Sequence, residues 1–466
     1  MKRTLSILFL SFLASVALHA QQGLRAKLDS LLEEDFLKTS EVGISVYDLT
    51  ADSLLYGYQN NKLYRPASVQ KLITAITGLS VLGPRYHFST SLYYSGELRD
   101  STLYGNLYVV GGLDSEFVDS SMNVLVKLLG RSGIKTITGK LIADVSMTDS
   151  LYWGAGWSWD DAPYYFQPKI SPLMFQKGYV EVYANPTEKD SLVNLNCIPA
   201  SSYYSVKNNA VSNSNGIRKL DVTRNWMEYG NDIYISGTVD TLSRERITIE
   251  NSADFFMHTF RQRALEKGIN LPAYTYGELP KDSSAIFLAR LSHPLHLVLQ
   301  RAMKNSDNLS AEAILYNLAA KETGKNKLSR EDGIKVIQRI ITELGYNPEE
   351  YNLVDGCGVS LYNYLSPELL TAFLKYAYSR NRIFNELYPA LPVAGMDGTL
   401  SNRMKEGKAF NNVHAKTGSV TGVSSLAGYA TASNGHLLAF AIINQNVMKS
   451  SKARAFQNKV CELLCE

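Results

Sequence analysis

Serine and lysine residues recur in three short segments whose spacing suits acyl transfer. In chain order these segments are Ser68-Val69-Gln70-Lys71, Ser306-Asp307-Asn308 and Lys416-Thr417-Gly418. A lysine three positions after a serine lies beside it on one face of a helix turn, and a partly desolvated amine there can accept the serine proton. The N-terminus of that helix adds backbone N–H groups that stabilise a developing oxyanion. We therefore predict Ser68 as a nucleophile and Lys71 as its base.

Each segment is weak evidence by itself. A serine and a lysine at this spacing are also typical of a helix N-cap followed by a solvated lysine. The pattern of the second segment occurs again at Ser121-Met122-Asn123, where we interpret Ser121 as a helix N-cap. The glycine of the third segment precedes a predicted strand, where it lets a substrate approach the strand edge. His414, two residues before Lys416, is interpreted as a strand residue rather than a base. In this order, the three segments are typical of penicillin-binding proteins and class A β-lactamases.

Regular apolar patterns surround the three segments. Residues 42–49 alternate and residues 54–58 follow a short turn, which predicts a β-hairpin. After Ser68, apolar residues recur at helical spacing until Gly83-Pro84 ends the helix. Further helices are predicted at residues 253–267, 309–320, 330–344 and 367–378, and from about Lys452. Residues 86–276 are instead rich in short tyrosine and valine runs, which predicts a mostly β segment with short helices.

A second hairpin signal follows the third segment. Ser433-Asn434-Gly435 separates two apolar runs, residues 423–432 and 437–443, and predicts a β-hairpin with a type I′ turn. Together with the first hairpin and the helices, these strands are expected to form one α/β domain that the β-rich segment interrupts.

Longer segments around the motifs resemble one protein family. These segments are RPASVQKL (65–72), GNLYVVGGLD (105–114), WSWDDAPYY (157–165), NSDNL (305–309), DGCGVS (355–360) and LPVAGMDGTL (391–400). They are similar to landmarks of the class C low-molecular-mass penicillin-binding proteins, the D-Ala-D-Ala carboxypeptidase/endopeptidase (peptidase S13) family. The resemblance covers nearly all of the chain after residue 20. Two positions depart from the family pattern, because Cys357 replaces a serine and Leu361 replaces a basic residue.

The resemblance implies a fold and a domain order. The expected fold is α/β (α+β), with a serine β-lactamase/transpeptidase-like catalytic domain, an antiparallel sheet flanked by helices, and a large, mostly β, two-part insert. The expected domains are a signal peptide (1–20), a discontinuous catalytic domain (21–85 and 285–466), an inserted β-rich domain (86–110 and 175–284) and a nested small domain (111–174). The 238 residues between Ser68 and Ser306 agree with this insert, since β-lactamases have a gap several-fold shorter.

The resemblance also implies roles for individual residues. Ser68 would form an acyl-enzyme with Lys71 as its base, and Ser306 would relay a proton to the leaving amine. Substrate binding is implied for Asn308, Lys416, Thr417, Gly418 and Ser419, with the backbone N–H groups of Ser68 and Ser419 as an oxyanion hole. The implied partners are peptidoglycan stem peptides and β-lactam antibiotics, and no metal or other cofactor is expected. The same chemistry can cleave a terminal D-alanine or a cross-link, so carboxypeptidase and endopeptidase activity both stay open.

Two other functions are weighed against this one. A class A β-lactamase needs a glutamate that activates the deacylating water, and Glu343 with Asn347 gives only a bare E-x-x-x-N pattern without the proline and leucine. A non-catalytic β-lactam sensor or peptidoglycan-binding protein is the second alternative. Such a sensor needs a membrane span, and no stretch after the N-terminus is apolar enough for one.

The N-terminus and the composition limit location and partners. Lys2 and Arg3, the apolar run 5–18 and Ala20 predict a signal peptide, hence secretion through the Sec pathway to the periplasm, with a retained anchor as the alternative. A net charge of +3 gives no case for nucleic-acid binding. The cysteines are expected to be free or weakly paired thiols: Cys197, Cys357, Cys461 and Cys465. The C-terminal helix is expected to dock on the catalytic domain, with at most peripheral membrane contact. The oligomeric state is left open.

Overall fold

The computed structural model describes residues 23–213 and 219–466, so the predicted signal peptide lies outside the described residues. The described chain divides into two compact units. The first unit holds the described residues up to Pro84 together with Leu299–Ser306 and Ile337–Glu466. The second unit holds Arg85–Val298 and Asp307–Val336. The finer division of the insert into an outer and a nested domain stays a prediction.

Strands outnumber helices in the described chain. The helices are α1 (23–31), α2 (Gln70–Val81), α3 (Asp119–Arg131), α4 (Ser252–Glu266), α5 (Leu295–Lys304), α6 (Asn308–Thr323), α7 (Arg330–Glu343), α8 (Pro367–Tyr378), α9 (Asn381–Ala390) and α10 (Ser450–Leu464). The strands are β1 (Glu41–Asp48), β2 (Ser53–Tyr58), β3 (His87–Arg99), β4 (Thr102–Gly111), β5 (Thr136–Ile137), β6 (Leu141–Asp144), β7 (Tyr179–Asn185), β8 (Asn194–Ile198), β9 (Ser205–Asn208), β10 (Val211–Ser212), β11 (Lys219–Arg224), β12 (Asp232–Val239), β13 (Ser243–Thr248), β14 (Tyr274–Tyr276), β15 (Ile286–Pro294), β16 (His414–Val420), β17 (Val423–Thr431) and β18 (Leu437–Gln445).

The first unit is built on a five-stranded antiparallel sheet with strand order β16-β17-β18-β1-β2. Helix α8 contacts β1 and β18, and α10 contacts β17 and β18. The apolar side of α10 lies in the same core as the sheet residues, because Phe456, Val460 and Leu464 belong to one cluster with Ile44 and Phe440. This architecture confirms the predicted antiparallel sheet flanked by helices, and α10 docks on the unit that contains it.

The second unit contains three further sheets. The largest has the strand order β14-β6-β4-β3-β15 with β5 beside β4, and the smaller ones join β13-β7-β8 and β10-β12-β11, with β9 beside β12. One apolar cluster connects these strands with α3 and α4, and it includes Leu107, Leu125, Val180 and Phe256. The mostly β character predicted for residues 86–276 is therefore confirmed.

Several local expectations need correction. The hairpin β17–β18 forms as predicted, but its turn is not type I′, because Gly435 has φ = 84° while Asn434 is not among the described residues with positive φ. The Ala432 N–H instead donates to the His436 carbonyl, which closes a longer loop. Ser121 lies inside α3, whose N-cap is Val118, so our N-cap interpretation of Ser121 is wrong. Helices α5 and α9 were not predicted from the sequence.

Candidate active site

Ser68 lies in a tight turn at the start of α2. The turn is the 3-10 helix Ala67–Val69, and Ala67 has φ = 50°, a left-handed conformation that is uncommon for a residue with a side chain. The Ser425 hydroxyl donates to the Pro66 carbonyl at 2.6 Å and ties this turn to β17. Ser68 itself is half-buried. The turn therefore presents the hydroxyl at the N-terminal end of a buried helix.

Lys71 brings its amine directly to Ser68. The distance from Lys71 Nζ to Ser68 Oγ is 2.8 Å, and Nζ also donates to the Cys357 carbonyl at 2.6 Å. The side chain of Lys71 is fully buried. The spacing of three residues thus places a desolvated amine on the serine hydroxyl, which is the geometry that proton transfer requires.

A buried loop after α7 supports this lysine. The carboxylate of Asp355 accepts hydrogen bonds from the backbone N–H groups of Gly358 and Ser360, both at 2.7 Å, and from the Asn363 amide at 2.9 Å. The Thr74 hydroxyl donates to the Gly356 carbonyl at 2.7 Å, which joins the loop to α2. The loop therefore holds the Cys357 carbonyl at the amine of Lys71.

Lys416 and Ser306 form a second lysine–serine pair in the same unit. Lys416 Nζ lies 2.8 Å from Ser306 Oγ and 2.7 Å from the Thr417 carbonyl. Ser306 has φ = 58°, so the loop before α6 turns sharply at this serine. Lys416 is fully buried, and its desolvation holds its pKa well below the ordinary lysine value, an effect that positive Lys71 increases. The two amines are thus close enough to repel each other.

Strand β16 carries Lys416 at the edge of the sheet. An ideal Cβ on Gly418 would lie 2.9 Å from the Ser68 N atom and 2.9 Å from the Pro66 carbonyl oxygen, so only glycine permits this approach. The Thr417 hydroxyl donates to the Thr399 hydroxyl at 2.8 Å, and Ser419 is exposed. The edge of β16 therefore runs past Ser68, where an extended peptide can pair with it.

Asn308 belongs to the second unit, as the first residue of α6. Its amide donates to the Phe166 carbonyl at 2.6 Å, and the preceding residue, Asp307, caps α6 by accepting from the Ser310 N–H. Asp307 also forms an ion pair with Lys177, which contacts Glu116 at 2.8 Å. These contacts fix the conformation of the second motif after Ser306.

Two contributors were not found in the sequence, and two expectations about neighbouring residues agree with the structure. Thr399, the partner of Thr417, and the Cys357 carbonyl were missed as functional groups, although both lie in segments that resemble family landmarks.

His414 is a strand residue stacked on Tyr388, with ring centroids 4.1 Å apart. Glu343 ends α7 and pairs with Arg380 at 3.0 Å. The position of Glu343 gives no support to the β-lactamase alternative.

Two further expectations concern the pairing of the cysteines and the presence of a membrane-spanning helix. None of the four cysteines, all of which lie among the described residues, forms a disulfide; three are buried and Cys197 is half-buried. Within residues 23–213 and 219–466, no helix combines the length and the apolar content that crossing a bilayer requires.

Comparison with known proteins identifies relatives of this chain. A model of the D-Ala-D-Ala carboxypeptidase 3 (S13) family matches residues 24–466. The D-alanyl-D-alanine carboxypeptidase DacB of Haemophilus influenzae is 27% identical over 440 residues, which cover 92% of this chain and 90% of the relative. A D-alanyl-D-alanine carboxypeptidase of Actinomadura sp. is 28% identical over 445 residues, which cover 90% of this chain and 80% of the relative. The crystal structure of penicillin binding protein 4 from Haemophilus influenzae has the same fold, with a TM-score of 0.80 at 23% identity, covering 94% of this chain and 99% of that structure.

Proposed function

Because the chain belongs to the D-Ala-D-Ala carboxypeptidase 3 (S13) family and is a serine D-Ala-D-Ala carboxypeptidase, we propose that it acts on peptidoglycan stem peptides through an acyl-enzyme on Ser68. One observation carries this assignment. Within a single unit, Lys71 Nζ lies 2.8 Å from Ser68 Oγ and Lys416 Nζ lies 2.8 Å from Ser306 Oγ. Each serine thus has its own buried amine, one for attack and one for the leaving group.

Acylation begins when Ser68 Oγ attacks the carbonyl carbon between two D-alanine residues. Lys71 takes the serine proton as the new Oγ–C bond forms. The developing oxyanion accepts hydrogen bonds from the backbone N–H groups of Ser68 and Ser419. Ser306 then relays the proton held by Lys71 to the leaving amine as the C–N bond breaks, so that Lys71 is neutral again, D-alanine departs and the shortened peptide stays on Ser68. Water, activated by the same lysine, hydrolyses this ester and restores the serine.

The terminal carboxylate of the substrate controls the charge of the two lysines. Thr417 and Lys416 bind this carboxylate, and Asn308 binds the amide side of the peptide. A bound carboxylate favours the ammonium form of Lys416, which desolvation otherwise disfavours. Repulsion from that ammonium then favours the neutral amine at Lys71, and a neutral amine can accept the Ser68 proton. The site is therefore activated by the group that identifies a chain-terminal D-alanine.

β-Lactams fit the same reaction, since their strained amide and carboxylate imitate the terminal dipeptide. A β-lactam complex of penicillin binding protein 4 from Haemophilus influenzae has been solved. We expect a β-lactam to acylate Ser68 and to leave slowly. Incubation with a fluorescent penicillin tests this expectation, because rapid turnover without a persistent adduct would instead indicate a β-lactamase.

Carboxypeptidase and endopeptidase action differ only in what is attached to the leaving amine. Digestion of purified muropeptides, with products resolved by mass, separates them. Loss of one D-alanine from pentapeptides indicates the first activity, and cleavage of cross-linked dimers indicates the second. Retention of every pentapeptide and dimer would refute the proposed substrate.

The proposed location follows from the N-terminal sequence. Lys2 and Arg3 before the apolar run 5–18 support export through the Sec pathway, with cleavage after Ala20 and residence in the periplasm, where peptidoglycan lies. Fractionation of expressing cells, followed by N-terminal sequencing of the product, tests this location. A cytoplasmic, uncleaved chain would contradict it.

A further inference from the structure

A cavity of about 1060 Å³ lies inside the second unit, formed only by residues of that unit. It is of the size that holds small organic ligands. None of the predicted catalytic or substrate-binding residues lines it. Three exposed tyrosines do so, Tyr152, Tyr229 and Tyr276, together with Lys169, Asn231 and Glu250. The cavity therefore has a chemistry of its own.

The ammonium of Lys169 lies between two tyrosine rings. Its Nζ is 5.2 Å from the ring centre of Tyr152 and 5.0 Å from that of Tyr229, and it forms an ion pair with Glu250. Among the described residues, Glu250 is the one hydrogen-bond acceptor of this ammonium. Since an ammonium donates three hydrogen bonds, Lys169 can offer further donors to a ligand.

A buried arginine holds the floor of the cavity in place. The side chain of Arg224 has 0% exposure, and its guanidinium donates to Glu250 Oε1 at 2.6 Å and to the Gly230 carbonyl at 3.0 Å. The same group thus positions the partner of Lys169 and the loop that carries Tyr229. The Asn231 side chain accepts a hydrogen bond from the Glu250 N–H at 2.8 Å, which is a second contact that holds Glu250 in place. The lining is therefore preorganised by buried contacts.

Tyr229 is an exposed aromatic residue at the end of the 3-10 helix Trp226–Glu228. It is 70% exposed and has a left-handed conformation, with φ = 57° and ψ = 25°. A bulky residue in this conformation is uncommon, and strained residues cluster at ligand sites. Neither the Tyr229 hydroxyl nor the Tyr152 hydroxyl has a hydrogen-bond partner among residues 23–213 and 219–466. Two amphipathic rings with unused hydroxyls thus flank the ammonium.

The charge of the site points to a neutral polar ligand. Two lysines and three carboxylates line the cavity: Lys169, Lys327, Asp149, Glu250 and Glu278. The buried Arg224 beneath them brings this set of groups to neutrality. A polyanion such as a nucleotide would meet unfavourable carboxylates, whereas an uncharged sugar would not. Tyrosine rings present flat apolar faces to sugar C–H groups, and their hydroxyls bond sugar hydroxyls.

We propose that this cavity binds an amino-sugar segment of the glycan strand, with tyrosine rings against the sugar faces and Lys169 donating to an N-acetyl carbonyl oxygen. The choice of sugar rests on the proposed function, because peptidoglycan attaches its stem peptides to a chain of N-acetylated amino sugars. Engagement of the strand by the second unit would raise the local concentration of stem peptides at Ser68.

The test uses a soluble tetramer of β-1,4-linked N-acetylglucosamine and the full mature chain, with binding measured by titration calorimetry. We expect saturable binding that Tyr229→Ala and Lys169→Met each weaken at least about tenfold. Tyr104→Ala is the matched control, since Tyr104 is 56% exposed in the same unit and does not line the cavity. Tyr152→Phe, which keeps the ring, should weaken binding less than Tyr152→Ala.

A second readout compares two substrates. Tyr229→Ala should leave D-alanine release from a short free pentapeptide unchanged and lower release from polymeric peptidoglycan. No saturable binding at about 10 mM tetramer would overturn the proposal, as would equal binding by Tyr229→Ala and wild type or displacement of the sugar by free stem peptide. Sugar binding without any D-alanine release would refute the proposed function alone, so the two failures are distinguishable.

Discussion

Lys71 and Lys416 each bring a fully buried amine to a serine hydroxyl, and the two reach this state from different elements. Lys71 follows Ser68 by one helix turn, so their contact is local. Lys416 lies 110 residues from Ser306, and only the fold brings them together. Burying two cations in one site is unfavourable unless the charge state adapts. In the proposed mechanism, the charge of the bound substrate therefore sets the charge and the reactivity of these two lysines.

Replacement of Ser68, the proposed nucleophile, gives the most direct prediction. Ser68→Ala removes the oxygen that forms the acyl-enzyme, so D-alanine release from a pentapeptide should fall at least about 10³-fold. Intact-mass spectrometry should show no penicillin adduct on this variant. Ser53→Ala, an exposed serine at the start of β2, is the control and should keep both activities. Persistent adduct formation by Ser68→Ala would show that another residue is acylated.

Lys416 makes a prediction about stability and pH. Because its folded-state pKa is well below the ordinary value of 10.5, the unfolded chain binds more protons at this group below pH 10.5. The free energy of unfolding contributed by Lys416 should therefore rise as the pH increases toward 10.5. We expect wild type to gain stability relative to Lys416→Met between about pH 7 and pH 10, measured by urea unfolding. A constant difference across this range would contradict the depressed pKa.

Sequence reasoning reached the motif serines and lysines but not their tertiary partners. Spacing alone predicts the Lys71–Ser68 contact, since both lie on one turn. Nothing in the local sequence indicates that Thr399 meets Thr417 or that the Cys357 carbonyl meets Lys71. Such contacts depend on how a loop folds back on a strand. The family resemblance singled out these segments, but it did not indicate which atoms make the contacts.

At the scale of elements, the approach of β16 to the turn before α2 decides the geometry of the site. Gly418 pairs with Ser425, and Ser425 in turn holds the Pro66 carbonyl. A side chain at position 418 would enter the space of the Ser68 backbone N–H, which is a proposed oxyanion donor. The glycine of the third motif is thus a steric requirement at this position.

Gly418→Ala should therefore reduce catalysis more than folding. The added methyl would lie 2.9 Å from Ser68 N, and shifting β16 away would misplace both oxyanion donors. We expect kcat/KM for pentapeptide hydrolysis to fall at least about tenfold, with a stability loss of about 1–3 kcal/mol. Gly130→Ala in α3 is the control, since its Cβ would meet only Ile269 at 3.6 Å. Equal kcat/KM for the two variants would show that the close approach is dispensable.

Helices with clear start signals were predictable, and those without such signals were not. Helix α8 begins at Ser366-Pro367, a capping serine followed by proline, and its predicted bounds agree with the structure. Helix α9 has no side-chain cap and contains Pro389, so its sequence gives no start signal, although Ile383, Leu387 and Ala390 recur at helical spacing. Helix α5 follows β15 without an intervening turn. Apolar residues continue from the strand into the helix, so the change from strand to helix spacing is hard to recognise in the sequence. The turn at Gly435 was misjudged because its composition also suits a longer loop.

At the scale of the whole molecule, each unit has its own apolar cluster. The cluster of the first unit includes Phe456 of α10, and that of the second includes Phe256 of α4. The residues that bring amines to Ser68 and Ser306 all belong to the first unit. Multidomain chains commonly unfold in more than one step. Penicillin acylation should therefore be lost when the first unit unfolds.

Two matched core substitutions test this division. Phe456→Ala and Phe256→Ala each remove a fully buried ring, which costs about 3–5 kcal/mol in a well-packed core. In urea, we expect Phe456→Ala to lower the midpoint at which fluorescent penicillin labelling is lost. Phe256→Ala should mainly lower the midpoint of a second transition, followed by circular dichroism. If both substitutions shift one common transition by the same amount, the two clusters stabilise a single cooperative structure and the predicted independence is wrong.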